Sequence, residues 1–192
     1  NVIKYNHLDF EGKNKIYKIE SQAELEVTVR RIIAGGYDDC LIIQDFIPGD
    51  DSYLFDAVAY SDSTGKVRMV SFAQIGLQEH TRTMVRNAAV LINGYNQFGG
   101  TREITESIAA FLEQTGYRGF PEFDLKFDRR DGKFNVLEIN ARQGRCSYYI
   151  CPLGCNPVKL LIDDLIFNER PDYGLLEKEM LLSFVPKSIA KK

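Results

Sequence analysis

The stretch from Glu122 to Tyr149, EFDLKFDRRDGKFNVLEINARQGRCSYY, predicts a β-hairpin. Two segments rich in aromatic and branched residues, Gly119–Phe127 and Phe134–Asn140, flank the polar run Arg129–Gly132, which has the composition of a tight turn. Such a short connection makes the two strands antiparallel neighbours. Their side chains are therefore expected to lie next to each other.

Polar side chains recur at every second position of both strands. Asp124 and Lys126 share one face of the first strand, because strand side chains alternate between the two faces of a sheet. By the same rule Glu138, Asn140 and Arg142 share one face of the second strand. If both faces point into one cleft, two carboxylates and an amide oxygen converge beside two cations. Hard oxygen ligands of this kind suit Mg²⁺, and the cations suit the phosphates that Mg²⁺ carries.

The burial of the hairpin decides between two interpretations of its acidic residues. Acidic residues on hairpin strands commonly face solvent and have no further role. Apolar residues accompany them, however, and make the hairpin apolar on both faces in places: Phe123, Leu125 and Phe127 on the first strand, and Val136, Leu137 and Ile139 on the second. This pattern predicts a buried hairpin whose carboxylates need a partner. It also predicts that Phe123→Ala or Val136→Ala costs stability, on the order of 1–5 kcal/mol.

Composition and charge limit the class of protein. The 192 residues are 44% hydrophobic and 27% charged, which is typical of a globular chain of one domain or two small lobes. A formal net charge of -3 gives no basic surface for nucleic acid, and no apolar run is long enough for a membrane span or a signal peptide. We therefore expect a cytoplasmic protein. Four cysteines without a Cys-x-x-Cys pair, together with two histidines, favour reduced thiols over a zinc site.

The other elements follow from periodicity and capping signals. Ser21 and Glu24 form a capping box ahead of a helix that Gly35 ends. A second helix is predicted over Thr101–Thr115, with Thr101 and Thr105 at its cap, and a third over Val158–Phe167, which Asn156 and Pro157 begin. The predicted strands outside the hairpin are Val2–Tyr5, Lys15–Ile19, Cys40–Ile47, Ser52–Tyr60 and Lys66–Leu77.

Three features, in the same order along the chain, resemble the ATP-grasp ligases. They are the run LIIQDFIPGDD from Leu41 to Asp51, the acidic residue Asp124, and the run LEINARQGRCS from Leu137 to Ser147. The resemblance implies an α+β ATP-grasp fold with antiparallel sheets flanked by helices and a nucleotide between two lobes. Residues 1–47, ending in the hinge strand, would belong to the smaller lobe, and residues 48–192 would form the larger lobe with the metal-binding hairpin.

The same resemblance implies roles for individual residues. Asp124, Glu138 and Asn140 would hold the Mg²⁺ ions of ATP, with Mn²⁺ as the alternative ion. A hinge set and a lysine would contact the nucleotide, and two arginines would contact the reacting groups. These residues are Gln44, Asp45 and Ile47 at the adenine, Asp51 at the ribose, Lys4 at the phosphates, Arg142 at the transferring phosphoryl group, and Arg145 with Ser147 at the substrate carboxylate. Lys126, which shares a strand face with Asp124, is a separate candidate for a phosphate or substrate contact, and the alternative is a solvated or ion-paired lysine.

The chain departs from the family's pattern in two places. The glycine-rich loop that covers the phosphates in many members is represented only by Asp9–Lys13, and the family's N-terminal domain would precede Asn1. The chain therefore resembles the C-terminal part of a catalytic unit, and it is expected to lack turnover on its own. The segment His80–Arg86 adds two candidates for the substrate loops, Arg82 and Arg86.

Within the family, the hinge and the metal motif are most similar to carboxylate-amine ligases related to bacterial D-aspartate ligase, which attach an amino acid to the lysine side chain of a cell-wall precursor. The implied reaction joins a small-molecule carboxylate to an amine acceptor through an acyl phosphate and converts ATP to ADP. Two other classes remain open. One is a nucleotide-binding regulatory module without turnover, and the other is a structural or interaction domain whose acidic hairpin faces solvent.

Binding of Mg-ADP should raise the melting temperature of this chain. Ligand at about 100 times its dissociation constant adds about 2.7 kcal/mol, or roughly 5–10 °C for a chain of this size. Scanning fluorimetry measures the shift, which both Glu138→Gln and Asp51→Ala should reduce. An unchanged melting temperature, in this chain and in a longer protein that contains it, would contradict the nucleotide site.

Overall fold

The computed structural model describes residues 17–79 and 88–185. The chain divides into two compact units, Asn1–Phe46 and Ile47–Lys192. Several predictions fall outside the described residues: the strand Val2–Tyr5 with the phosphate lysine Lys4, the loop Asp9–Lys13, and the segment His80–Arg86 with Arg82 and Arg86. The prediction of two lobes on either side of a nucleotide stays a prediction.

The described part of the first unit contains the helix α1 (Gln22–Ala34). The Ser21 hydroxyl accepts a hydrogen bond from the Glu24 backbone N–H at 3.2 Å. The Glu24 carboxylate in turn accepts from the backbone N–H of Glu20 at 2.9 Å, one residue earlier than in the common capping box. The helix ends at Gly35, whose N–H bonds back to the carbonyl of Arg31. The predicted helix start and stop are both confirmed.

The prediction of a strand over Cys40–Ile47 is wrong. Residues 40–50 form no strand, and the side chains of Ile42 and Ile43 are 66% and 67% exposed. A strand needs a paired neighbour to satisfy its backbone N–H and C=O groups, so an apolar, branched sequence does not make one alone. The strand predicted for Lys15–Ile19 is also missing over residues 17–19, and its first two residues lie outside the described ranges.

The second unit is built on a sheet of short hairpins, as the sequence predicts. Its strands are β1 (Leu54–Ser61), β2 (Val67–Gln78), β3 (Ala88–Asn93), β4 (Glu122–Asp128), β5 (Lys133–Asn140), β6 (Gly174–Leu175) and β7 (Met180–Ser183). The order across the sheet is β5-β4-β1-β2-β3-β7, and all of these neighbours are antiparallel. The short β6 pairs with β2 in parallel. A 3₁₀ turn, Asp51–Tyr53, leads into β1.

Two helices and a 3₁₀ helix accompany the sheet. The helix α2 (Thr101–Thr115) has the predicted bounds, but its N-cap is Gly100 at φ 73°, a left-handed conformation that favours glycine. Thr105, predicted as part of the cap, instead bonds to the carbonyl of Thr101 inside the helix. The 3₁₀ helix Arg145–Leu153 was not predicted.

The last helix, α3 (Pro157–Leu165), begins where the sequence predicts and ends two residues early. The Asn156 side chain accepts hydrogen bonds from the backbone N–H groups of Val158 and Lys159. Pro157 occupies the first turn, where a backbone N–H would have no partner within the helix, so the missing N–H of proline costs nothing there. In the described ranges, the helices are too short or too polar to cross a bilayer.

Each face of the sheet carries an apolar core. The core toward α2 is built from Phe55, Ala57, Phe72, Phe123 and Leu125 of the sheet with Ile108 and Leu112 of the helix. The core on the other face is built from Val58, Tyr60, Met69 and Leu91 with Tyr149 and Ile150 of the 3₁₀ helix and Leu160 of α3. The sheet is therefore covered on both sides near its centre, which gives an α+β arrangement.

The predicted burial of the hairpin is confirmed for β4 and wrong for β5. Phe123 on β4 is 2% exposed, whereas Val136 on β5 is 46% exposed and Ile139 is 43% exposed. The reason is topological: β4 lies between two strands, while β5 is the edge strand and α2 packs chiefly over the centre of the sheet. Apolar residues on β5 are therefore only partly covered.

Truncation of the two hairpin strands should have unequal costs. Phe123→Ala empties a fully packed site and should lower the free energy of unfolding by about 3–5 kcal/mol. Val136→Ala removes a half-exposed side chain from an edge strand and should cost about 1 kcal/mol or less. Urea unfolding followed by circular dichroism measures both. Equal costs would show that β5 is as well covered as β4.

Candidate active site

Three adjacent strands place acidic residues in one row. Asp56 on β1 lies opposite Asp124 on β4, and Asp124 lies opposite Glu138 on β5. Glu122 lies opposite Asn140, one pair further along the same face. Residues opposite each other in an antiparallel pair have Cβ atoms about 4.5–5.5 Å apart. Strand pairing therefore brings the three predicted metal ligands, Asp124, Glu138 and Asn140, to adjacent positions.

A β-bulge in β5 produces this row. On the turn side of the bulge Leu125 pairs with Val136, and on the other side Asp124 pairs with Glu138, so Leu137 is the extra residue. Without it Asp124 would lie opposite Leu137, and Glu138 would lie on the other face of the sheet. Bulges near functional sites commonly redirect side chains in this way. The bulge is what aligns the second predicted carboxylate with the first.

Hydrogen bonds connect the polar groups at the end of β5. Arg142 donates from Nη2 to Asn140 Oδ1 at 3.1 Å and from Nη1 to the carbonyl of Gln143 at 3.2 Å. Asn140 donates from Nδ2 to Asp124 Oδ2 at 3.4 Å. The donor set of two carboxylates and an amide fits a hard divalent cation. Such a cation needs the amide oxygen of Asn140, so the amide must turn over when Asp124 and Asn140 bind one ion together.

The carboxyl groups of this row are harder to ionise than isolated ones. Burial, reinforced by the charges of Glu122 and Glu138, raises the pKa of Asp124 to about 6, against the attraction of Arg142. Burial also raises the pKa of Glu122. The pKa of Asp56 is raised well above its usual range, first by burial and then by the charges of Glu122 and Asp124. Fully ionised, the row would hold more negative charge than its surroundings stabilise, and a bound cation would offset that excess.

Two of these carboxylates, Asp56 and Glu122, were missed in the sequence. Their carboxylate oxygens lie within 4.8 Å of each other and of an oxygen of Asp124. The signal for Glu122 was present, since it stands two residues before Asp124 on the same strand. Asp56 could have been flagged as the one charged residue inside the apolar run that forms β1. Its closeness to Asp124 depends on strand pairing, which the sequence does not show.

Glu122 is held against the chain that follows β5. The backbone at Gly144 approaches the Glu122 carboxylate so closely that a methyl group on Gly144 would overlap it. Gly144 has an ordinary extended backbone, so glycine is favoured here by the lack of space beside the Glu122 carboxylate and not by backbone conformation. Its N–H donates to the hydroxyl of Ser147 at 3.0 Å. Ser147, which the family resemblance assigns to the substrate, is fully buried and supports this turn.

Comparison with known proteins identifies the family. No family model matches the chain. D-aspartate ligase of Enterococcus faecium (strain Aus0004) is 37% identical to it over 194 residues, which cover 98% of this chain and 45% of the relative. The fold is similar to that of the L-amino acid ligase from Bacillus licheniformis, with a TM-score of 0.51 and 21% identity over 76% of this chain and 37% of that one. The chain belongs to the ATP-grasp superfamily.

A second curated relative is more distant. D-alanine–D-alanine ligase of Xylella fastidiosa (strain Temecula1 / ATCC 700964) is 22% identical over 156 residues, which cover 81% of this chain and 48% of the relative. The chain thus spans about half the length of the curated relatives it matches. The comparisons confirm the ATP-grasp recognition and the α+β fold that the sequence predicts.

Two side chains that the sequence analysis assigns to the nucleotide, Asp51 and Lys126, differ in their exposure to solvent. Asp51 lies in an open depression, and its Oδ2 accepts the backbone N–H of Gln78 at 3.0 Å. Lys126 is nearly buried and donates from Nζ to the carbonyl of Gly49 at 2.9 Å. Both side chains therefore have structural partners, and replacing Asp51 also removes a bond that anchors the end of β2. A binding assay on Asp51→Ala needs a stability measurement beside it.

The remaining assigned residues are described in part. Gln44 and Asp45 are exposed in the first unit, and Ile47 is partly buried at the start of the second. Arg145 begins the 3₁₀ helix, and its side chain lies outside what the structure describes, as does the whole of Lys4. The nucleotide and catalytic roles of these residues remain predictions.

Gly144 and Glu122 should be energetically coupled. A methyl group at Gly144 and the Glu122 carboxylate compete for the same space, so Gly144→Ala should be less costly in a Glu122→Ala background. A double-mutant cycle by urea unfolding should give an interaction free energy of about 0.5–3 kcal/mol.

The matched control for this cycle is Gly76→Ala, whose new methyl group meets Val90 and not Glu122. Its cost should add to that of Glu122→Ala within about 0.5 kcal/mol. Additive costs for Gly144→Ala and Glu122→Ala would contradict the close approach.

Proposed function

We propose that this chain carries the metal and phosphate site of an ATP-dependent carboxylate-amine ligase, which forms an amide or peptide-like bond through an acyl phosphate. The observation that carries the proposal is the pairing of Asp124 with Glu138, beside Asn140 and Arg142. Its support from known proteins is the 37% identity to a D-aspartate ligase over nearly the whole chain.

The residues of the row suit phosphoryl transfer. Asp124, Glu138 and Asn140 would hold Mg²⁺, which neutralises the charge of the phosphates, and Mn²⁺ could take the same ligands. Arg142 is exposed and bonds to Asn140, so its guanidinium stands at the edge of the metal set, where it can stabilise the equatorial oxygens of the moving phosphoryl group.

The proposed substrates are an amino acid, activated at a carboxylate, and an amine acceptor. By analogy with the D-aspartate ligase relative, we propose D-aspartate as the amino acid and a peptidoglycan precursor as the acceptor. Because the proposed reaction consumes ATP and modifies a peptidoglycan precursor, we propose that it takes place in the cytoplasm. The proposal assigns no role to a nucleic acid.

ADP release should require a carboxylate and an amine together. In a longer protein that contains this chain, coupled-enzyme assays with ATP, Mg²⁺, D-aspartate and a lysine-containing acceptor should show turnover. Glu138→Gln and Arg142→Ala should each lower kcat roughly 100-fold or more, the usual cost of losing one electrostatic contact to the transition state. Glu106→Gln, an exposed carboxylate on α2, is the matched control and should leave kcat unchanged.

The other classes give different results in the same assay. A regulatory module would bind Mg-nucleotide yet release no ADP with any substrate mixture. A structural domain would show no response to Mg-nucleotide. Turnover with other amino acids but with no D-acidic amino acid would reject the D-aspartate assignment and leave the ligase assignment standing.

A further inference from the structure

The inner part of the acidic row contains a group of three carboxylates. Asp56, Glu122 and Asp124 each present an oxygen within 4.8 Å of the other two. Asp56 is 3% exposed and Glu122 is 7% exposed, so the group lies beneath the surface on which Glu138 and Arg142 are found. Two oxygen ligands of one divalent cation at 2.0–2.5 Å are at most about 4–5 Å apart, so oxygens this close together can reach a single ion.

One oxygen of the group has no donor. Asp56 Oδ1 is buried and has no hydrogen-bond partner among the described residues. Buried carboxylate oxygens almost always have a hydrogen-bond partner. An oxygen without one has lost its hydrogen bonds to water and gained none in the protein, which costs free energy. Each such exception in a folded protein therefore calls for a bound ion, a water molecule or a proton.

Two other buried carboxylates of this unit have several donors each. Asp62 and Asp164 each accept hydrogen bonds from at least three groups, including an arginine. The donors are Thr64, Lys66 and Arg68 for Asp62, and Tyr60, Ser63 and Arg170 for Asp164. Asp56 lies in the same unit, on β1, but the charges that act on it are those of Glu122 and Asp124, both negative.

Positive charge reaches only part of the group. The guanidinium of Arg142 attracts Glu122 and Asp124, and it is exposed and bonded to Asn140 and Gln143. A proton shared between Asp56 and Glu122 is the rival way to balance the group, since these two carboxyl groups lie within hydrogen-bonding reach. One proton removes one negative charge of the three, whereas a divalent cation neutralises two and provides a partner for Asp56 Oδ1.

We propose that Asp56, Glu122 and Asp124 bind a hard divalent cation at an inner site that does not require nucleotide. This ion is additional to the Mg²⁺ ions that the outer set of Asp124, Glu138 and Asn140 would hold with nucleotide. Gly144 keeps the Glu122 carboxylate in place for it, because the chain closes against that carboxylate where any larger residue would displace it. The inner ion also fixes Asp124, which both sets share.

Mn²⁺ binding to the chain without nucleotide tests the inner site. Electron paramagnetic resonance should detect a bound ion that Mg²⁺ or Ca²⁺ displaces. Asp56→Asn keeps the shape of the side chain and should weaken Mn²⁺ binding at least tenfold, the range found even for outer-shell partners of metal ligands. Glu138→Gln, which changes only the outer set, should weaken it less than threefold.

Thermal unfolding supplies the second measurement. Mn²⁺ should raise the melting temperature of the unmodified chain and have little effect on Asp56→Asn, which should itself melt higher than the unmodified chain in chelator because it lacks one of three close charges. Should Asp56→Asn fail to fold, Glu122→Gln takes its place in both measurements.

Three results would overturn the inner site. The first is no Mn²⁺ bound at millimolar concentration without nucleotide. The second is unchanged binding in Asp56→Asn together with loss in Glu138→Gln, which would assign the ion to the outer set. The third is an infrared carboxylic-acid band that Asp56→Asn removes and Mn²⁺ does not, which would establish the shared proton. A persisting Mg-ADP shift in any of these cases would leave the proposed ligase function standing.

Discussion

The pairing of β4 with β1 on one side and β5 on the other is the constraint on which the site depends. Register in an antiparallel ladder has a period of two residues, so a slip of one residue would move every polar side chain of β4 into the apolar core under α2. Those aromatic and aliphatic contacts, made by Phe123 and Leu125, therefore hold the carboxylates of Glu122 and Asp124 on the opposite face. Burial of one face secures the chemistry of the other.

The site shows a local conflict of charges that Asp62 and Asp164 of the same unit do not show. Asp62 and Asp164 are saturated with donors and bind loops to the sheet, whereas Asp56, Glu122 and Asp124 place three like charges close together beside one exposed arginine. Clustering of this kind costs stability, and it persists where function needs the charge. The unit thus combines well-satisfied polar anchors at one end of β1 with an under-neutralised group further along the same strand.

Local patterns predicted the elements whose ends carry their own signals. Helix α1 follows from Ser21 and Glu24, α2 from its periodicity and the glycine after Thr115, and the β4–β5 hairpin from its turn residues. The hinge strand was wrong, because a strand needs a partner and an apolar run does not specify one. Val136 was predicted to be buried and is half exposed. A local sequence pattern does not specify the order of strands in the sheet or which strand lies at its edge.

The sequence alone determined that this chain belongs with the ATP-grasp ligases, and it identified Asp124, Glu138, Asn140 and Arg142 as neighbours, because these residues lie on one hairpin whose turn sets their approximate alignment. The tertiary structure decided the rest. The bulge at Leu137 brought Glu138 opposite Asp124, and the non-local pairing of β1 with β4 brought Asp56 to the same place from nearly 70 residues away. Contacts of that separation depend on how the whole sheet is assembled, since each strand's own residues are compatible with several neighbours.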